Sequence, residues 1–416
     1  MSARLPLLLV VLVVLAGCNA PGAPAVDTDQ PTVSESPAAN VSQPTTGPSS
    51  NASTANSSTI PVEGGRLAAD PDRTFRRVTR QLGVDARPPE RITIVDPSEA
   101  PTSVDPPHFL QVLGMDANAS RPGLAGQTIG EDWIRVNRTV ATRPRMEGVL
   151  AHEYVHVVQN QQGVTGQLFA SGVWESVPPF SVERPLLVSA VKEGAATYVA
   201  TQYQRNYTEM RLQATRYGRS YRQQETAAGR YFMAPYWFGY RYVADRLADD
   251  ETLDAIYDRP PRTSEALLHR YAPGAEPPVN LSVTVEPGAW RADKRGRVGE
   301  LGTRLALAAT LNTSRAVAGA DGWGNDELVI FERNETRGYV WVTRWDDAAN
   351  ETEFRTALTA ALDRQGTRTD AGWRDGTTAF RVRQGDDRTT VVVAGPSAFV
   401  RTASASVGQQ VVVRGP

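Results

Sequence analysis

At 416 residues the chain has room for two or three domains, and its 40% hydrophobic and 22% charged content fits a soluble globular protein with disordered parts. A formal net charge of −2 leaves no case for nucleic-acid binding through bulk charge. The single cysteine, Cys18, has no disulfide partner within the chain.

Arg4 precedes an apolar run, Leu7 to Leu15, followed by Ala16-Gly17-Cys18. The run is too short to span a membrane comfortably and has the order of a secretory signal, so residues 1–18 read as an export signal. Residues 19–65 are rich in Pro, Ser, Thr, Ala and Asn. Such a stretch buries too little apolar surface to offset its ordering entropy, and it reads as a disordered stalk. Sequons at Asn40, Asn51 and Asn56 continue at Asn118, Asn137, Asn206, Asn280, Asn312, Asn334 and Asn350, a density that suits an exported glycoprotein. Folded sequence begins near Arg66. Thr74–Gly83 predicts an amphipathic helix, Glu90–Pro97 a strand, Pro107–Gly114 a helix, and Trp133–Val140 a strand beside the next helix. His108 lies outside every motif and reads as a hydrogen-bonded structural histidine.

The chemistry is concentrated in AHEYVHVVQNQQG, Ala151 to Gly163. Met146, Val149, Leu150, Val157 and Val158 recur at roughly helical spacing, Pro144 suits a first turn, and Gly163 suits a stop, predicting a buried helix over 145–162. His152 and His156, four apart, then share one face one turn apart. Two neutral imidazoles so placed can hold Zn²⁺, and Glu153 lies where it can take a proton from an activated water. Catalytic zinc needs a third protein ligand. The best candidate is Glu193 in VKEGAATYVATQY, followed by the small residues Gly194, Ala195 and Ala196 that let another helix approach.

Residues 164–189 read as a loop or lid with Trp174 and Phe180, and 211–230 as a solvated arginine-rich helix face. Tyr231–Asp250 predicts a core helix, with Pro235 as the alternative start. Leu253–Tyr271 is broken at Pro260-Pro261, with Thr263 or Ser264 capping a new helix. The Pro/Gly-rich run Tyr271–Asn280 predicts a boundary between two cores. Beyond it, 298–311 and 350–364 read as helices. Residues 327–330, 339–343, 380–383, 390–393 and 399–403 read as strands, with Gly322-Trp323-Gly324 a turn. The tail, 409–416, reads as mobile or an edge strand.

The run HEYVHVVQNQQ followed by EGAATYVATQY resembles the gluzincin type of zinc metallopeptidase. It is similar in particular to secreted peptidase-like proteins with HE-x-x-H-x-x-Q and EG-x-A-x-Y motifs, over about Arg145–Tyr271. The resemblance implies His152, His156 and Glu193 as metal ligands and Glu153 as the base. Many gluzincins place an acidic residue one turn after the third ligand; here that position is Thr197, whose hydroxyl would orient a histidine more weakly. Thr197, Tyr198, Tyr236, Tyr240 and His269 are candidates for outer positions around the metal or for an oxyanion contact. The run PPRTSEALLH extends the resemblance and hints that His269 or Arg262 points at the site. Leu15-Ala16-Gly17-Cys18 resembles a lipobox, implying lipidation of Cys18. The arginine-rich, lysine-poor composition with many sequons resembles surface lipoproteins of halophilic archaea, although those are usually more acidic.

The expectation is an α+β protein. A mainly helical zincin-like catalytic domain with a small sheet, residues 66–278, precedes a small α+β domain of helices on an antiparallel sheet, residues 279–416. Its expected function is a zinc metallopeptidase on the outer face of the membrane, taking a peptide or protein substrate and anchored at Cys18. The alternative is a non-catalytic surface binding protein on the same fold.

Overall fold

The computed structural model describes residues 17–19, 60–99, 105–117, 124–175, 177–249, 251–286 and 288–416. Residues 1–16 of the expected signal and 20–59 of the expected stalk lie outside the described residues. Residues 60–65, expected in the stalk, instead belong to the folded body: Ile60 is buried and Val62–Glu63 pair with Ile92 and Thr93. The fold is mixed α+β.

The first sheet comprises β1 (Gly17–Asn19, backbone only), β2 (Val62–Glu63), β3 (Arg91–Val95), β4 (Leu124–Ile129) and β5 (Trp133–Asn137), in the order β1-β4-β5-β3-β2. Helix α1 (Pro71–Leu82) starts with Asp70 accepting from Arg73 N–H at 2.9 Å and ends at Gly83, whose φ of 68° is the left-handed stop that glycine tolerates. After α2 (His108–Val112) and α3 (Arg138–Ala141) comes the motif helix α4 (Met146–Gln161). Ile92, Ile134, Val136, Val149 and Leu150 bury the sheet against it, with Tyr203 from a later helix. The strand lying directly on α4 is β4, not the expected Trp133–Val140, whose strand part sits inside the sheet between β4 and β3. His108 is structural, as expected: its Nδ1 lies 2.7 Å from the Tyr339 hydroxyl. Asn137 is a poor glycan acceptor, since it is buried and its Oδ1 accepts from Thr139 N–H at 2.9 Å.

Next come α5 (Val164–Ala170), α6 (Glu183–Tyr207), α7 (Gln213–Gln223), α8 (Ala227–Ala248), α9 (Leu253–Asp258) and α10 (Ser264–His269). The expected lid is not a plain loop. It contains α5, and Trp174 is buried with its indole N–H donating to Pro261 O at 3.0 Å. Helix α7 is not merely a solvated face either, for Ala214, Tyr217 and Gly218 are buried. Pro235 lies inside α8 rather than at its start. Thr263 caps α10 as predicted, accepting from Ala266 N–H at 3.0 Å.

The C-terminal part contains β6 (Val283–Glu286), β7 (Arg291–Gly296), α11 (Gly299–Leu307), α12 (Thr313–Ala318), β8 (Trp323–Arg333), β9 (Thr336–Trp345), α13 (Ala348–Gln365), β10 (Thr367–Thr369), β11 (Gly372–Asp375), β12 (Thr378–Asp386), β13 (Thr389–Pro396), α14 (Ser397–Thr402), β14 (Ser404–Val407) and β15 (Val411–Arg414). A seven-stranded sheet runs β10-β11-β12-β13-β9-β8-β7, and a three-stranded one runs β14-β15-β6. Three expectations fail here. Residues 399–403 are mostly helix α14, because Phe399 folds back onto Phe331, ring centroids 5.3 Å apart. The tail strand β15 is central to its sheet, paired on both sides. Trp323 opens β8 as a buried residue, its indole N–H donating to Asp326 at 3.0 Å, rather than standing in a turn.

The run Tyr271–Asn280 does not separate two cores. One cluster of buried side chains holds Leu110, Leu187, Leu268, Leu301, Trp341 and Phe354 together. The backbone is stitched across as well: Phe180 N–H donates to Arg295 O at 3.2 Å and Glu183 N–H to Arg297 O at 3.1 Å. The buried Glu183 carboxylate takes Ser264 N–H at 2.6 Å, the Ser264 hydroxyl at 2.7 Å, and the Arg297 guanidinium. The Pro/Gly run is therefore a crossover within one packed body.

A pH signature follows from this junction. Glu265 is buried, and burial, reinforced by Glu300 and Asp346, pushes its carboxyl up to about 9. A folded-state value above the unfolded one gives a contribution that is complete below about pH 4.5 and lost as pH rises toward 9. Glu265→Gln should thus match wild type in denaturant unfolding at pH 4.5 and exceed it at pH 8 by about 2 kcal/mol, a discounted fraction of the full linkage. A stability difference independent of pH would contradict this.

Candidate metal centre

Helix α4 is buried over nearly its whole surface, because α1, β4 and α6 enclose it. His152 and His156 point from it toward α6, which delivers Glu193. His152 Nε2 lies 3.1 Å from Glu193 Oε2, His156 Nε2 lies 3.2 Å from the same oxygen, and the two Nε2 atoms are 3.1 Å apart. All three side chains are buried.

Hydrogen bonding sets the tautomer of neutral His156. Gln159 Nε2 donates to Lys192 O at 3.1 Å, a partner that can only accept, and to the Tyr257 hydroxyl at 3.1 Å. That fixes the amide, so Gln159 Oε1 accepts from His156 Nδ1–H at 2.8 Å. His156 Nε2 is then the unprotonated nitrogen, its lone pair aimed at Glu193 and His152. Such a convergence of ligand atoms could hold a cation. Bonds of about 2.0–2.1 Å to a tetrahedral zinc put ligand atoms roughly 3.3 Å apart, close to the spacing found. The donor set therefore fits zinc.

Burial works to raise the Glu193 carboxyl, but the His156 and His152 imidazoles outweigh it and hold it at about 2. Burial works to lower His156, and Glu193 outweighs that, leaving it raised.

Glu153 points toward β4. Thr128 Oγ1 donates to Glu153 Oε2 at 2.7 Å, while Oε1, buried, has no partner among the described residues. Gly126 makes room for it: a Cβ there would lie 2.8 Å from Oε1. The arrangement is a carboxylate with one oxygen clamped and the other without a partner among the described residues.

The outer positions differ from expectation. Thr197 is buried one turn after Glu193, but its hydroxyl bonds to no described residue, and the orienting bond is made by Gln159 instead. His152 Nδ1 is likewise without a partner among the described residues. Tyr236 does reach the site, its ring stacked on His152 with centroids 6.2 Å apart. Tyr198 and Tyr240 do not: their rings pair with each other at 6.5 Å, and Tyr198 lines a cavity of about 610 Å³ behind α4 with Val155 and Tyr257. His269 belongs to a second grouping, 3.1 Å from Glu300 Oε2 and 3.9 Å from Asp321 Oδ1. Arg304 already stands in that group, bonded to Glu300 and 3.3 Å from His269 Nε2, so a guanidinium supplies the positive charge a metal would bring. Arg262 contributes its main-chain carbonyl to Arg297 at 3.1 Å. Sequence reasoning assigned no role to Gln159 or Thr128. Gln159 carried a usable signal, standing one turn after His156 and within the HE-x-x-H-x-x-Q run.

Residues 288–404 match the family described as Domain of unknown function (DUF8575), a span that begins just before β7 and ends at the start of β14. The His152, His156 and Glu193 grouping lies wholly upstream of that span. No curated protein and no solved structure matches the chain.

Proposed function

We propose that the protein is a zinc metallopeptidase, exported and tethered to the outer face of the membrane through a lipid on Cys18. The observation that carries the reading is the meeting of His152, His156 and Glu193 at 3.1–3.2 Å beside a glutamate whose Oε1 has no partner among the described residues. Zinc held there would supply Lewis acidity to the scissile carbonyl and acidify a water toward a pKa of about 7. Glu153 accepts the water's proton on Oε1 while Thr128 holds Oε2, and then passes it to the leaving amine. Gln159 keeps His156 in the ligating tautomer.

Full burial of the three ligand side chains favours one other reading, a surface binding protein that keeps zinc for structure. Zinc content and hydrolysis of a mixed peptide library separate the two. The expected result is one zinc per chain, with chelation and His152→Ala each removing both metal and turnover. Zinc without cleavage would favour the binding protein, and a chain that takes up no zinc would end both readings.

A further inference from the structure

The cavity of about 610 Å³ behind α4 has no role in the proposed hydrolysis. Helices α1, α4, α6 and α9 wall it. Its floor is buried, at Val155, Val158, Val199 and Tyr257, and its mouth is exposed, at Gln162, Asn206, Thr252 and Asp254. The volume falls within the range of small-molecule sites, about 300–1,000 Å³.

The lining carries almost no charge. It has no Lys, Arg or His, and its one acid, Asp254, stands at the mouth. The chain has 44 Lys and Arg residues, and a cavity of similar size on the C-terminal sheet, about 640 Å³, is walled by Arg368, Arg381, Arg383 and Arg401. An anionic ligand would meet no cation behind α4, and a cationic one would meet only the solvated Asp254.

In place of charge the wall has carboxamides, from Gln81, Gln159, Gln162, Gln202 and Asn206. Each offers both donors and an acceptor, as a hydroxyl does. Gln159 is spent on His156, Lys192 and Tyr257. Gln81 is not. Its Nε2 donates to Val199 O at 2.9 Å, while its buried Oε1 has no partner among the described residues. A purely apolar ligand would leave that acceptor buried and unpaired, which is unfavourable. Gln202 Oε1 accepts from Arg205 at 3.3 Å, leaving its Nε2 to donate. The Tyr257 hydroxyl accepts from Gln159 at 3.1 Å, leaving its own proton to donate. Between these polar groups lie Leu82, Val155, Val158 and Tyr198, and the half-buried Tyr240 ring continues the aromatic surface 6.5 Å from Tyr198. Neutral donors and acceptors set among apolar and aromatic faces match a ring that bears hydroxyls at its edge and C–H bonds on its face. A peptide is a poorer match. Extended peptides add to sheet edges and helical ones fill apolar grooves, whereas this wall is helical and rich in amides.

We propose that this cavity is a saccharide-binding site. It takes a small neutral sugar whose hydroxyls pair with Gln81, Gln202 and Tyr257 and whose C–H face lies on Tyr198. The site stands whether or not the metal centre cleaves peptides.

Isothermal titration of the full-length protein, zinc-loaded and chelated, tests this with maltose, cellobiose, chitobiose and mannobiose, and with the neutral peptide N-acetyl-Ala-Gly-Ala-Gly-amide. At least one disaccharide should bind with a Kd below about 1 mM in both forms, roughly 10-fold or more tighter than the peptide. Added salt should leave that affinity unchanged, because no ion pair is involved. Gln81→Leu and, independently, Gln202→Leu should each weaken it about 10-fold or more, since each removes a hydrogen-bonding group from a buried contact. The two residues stand on different helices and neither is a metal ligand, so zinc content should stay at the wild-type level, with thermal unfolding confirming that both variants are folded. Binding by none of the disaccharides, or binding that both substitutions leave intact, overturns the proposal. Binding that disappears on chelation would place the sugar on the metal and overturn it as well. Tighter binding of the peptide, weakened by the same substitutions, would make the cavity a peptide site instead.

Discussion

Glu153→Gln is expected to retain zinc at the wild-type level and to lose peptide hydrolysis by about 10²–10⁴-fold, the usual worth of a positioned general base. Glutamine has nearly the same shape, and its carbonyl oxygen can accept from Thr128 where Oε2 does now, 2.7 Å away. The amide nitrogen then falls where Oε1 stands, the oxygen with no partner among the described residues, and a nitrogen there donates protons instead of accepting one. The metal survives because Glu153 is outside the cluster of His152, His156 and Glu193. The fold survives too, since the change removes a buried charge while keeping the Thr128 bond. Zinc analysis, thermal unfolding and kcat on the same preparations check the three parts together. Full activity in the variant would show that some other group takes the proton, and loss of zinc would show that Glu153 ligates.

The parts of this centre that were legible in the sequence are those fixed by one helix. His152 and His156 share a face because they are four apart, whatever α4 packs on. Gln159 is equally local to His156, yet its role depends on Lys192 O, which lies 33 residues away and is invisible to spacing. Thr128 was missed for a different reason. Its strand, LAGQTI, has no alternation of large apolar side chains, because Gly126 must be small to lie against Glu153. The expected partition into two cores failed because composition cannot distinguish a linker from a surface crossover. Only the bonds of Glu183 to Ser264 and Arg297 reveal that 271–280 passes over one continuous interior. Phe399 to Ala403 read as a strand by its Phe and Val, whereas packing of Phe399 on Phe331 and Trp290 bends it into α14.

Gly194 was read as a residue that lets α6 approach the motif helix, but its close neighbour is Gly239 of α8. A Cβ on Gly194 would stand 2.3 Å from the Gly239 carbonyl carbon, and a Cβ on Gly239 would stand 2.0 Å from Ala190 O. Ordinary non-bonded contacts between carbons are about 3.5–4.0 Å, so a methyl at position 239 forces α6 and α8 apart by more than about 1 Å. Both obstacles are backbone and cannot swing aside. Overpacking of this kind costs about 1–3 kcal/mol, occasionally more. The displaced segment also carries Glu193, next to Gly194, and a zinc site tolerates only about 0.2 Å in its ligand distances. Gly239→Ala should therefore lower stability in chelated protein and weaken zinc affinity by at least about 10-fold, the scale reached when groups supporting a ligand are lost. Gly166→Ala is the matched control. It lies in α5 with nothing within 4 Å of the added Cβ, so it should be neutral or stabilising by about 0.4–1 kcal/mol, without effect on the metal. Denaturant unfolding under chelation and competitive zinc titration measure the two effects separately. Wild-type zinc affinity in a folded Gly239→Ala protein would show that the crossing of α6 and α8 has slack, and that it does not set the position of the third ligand.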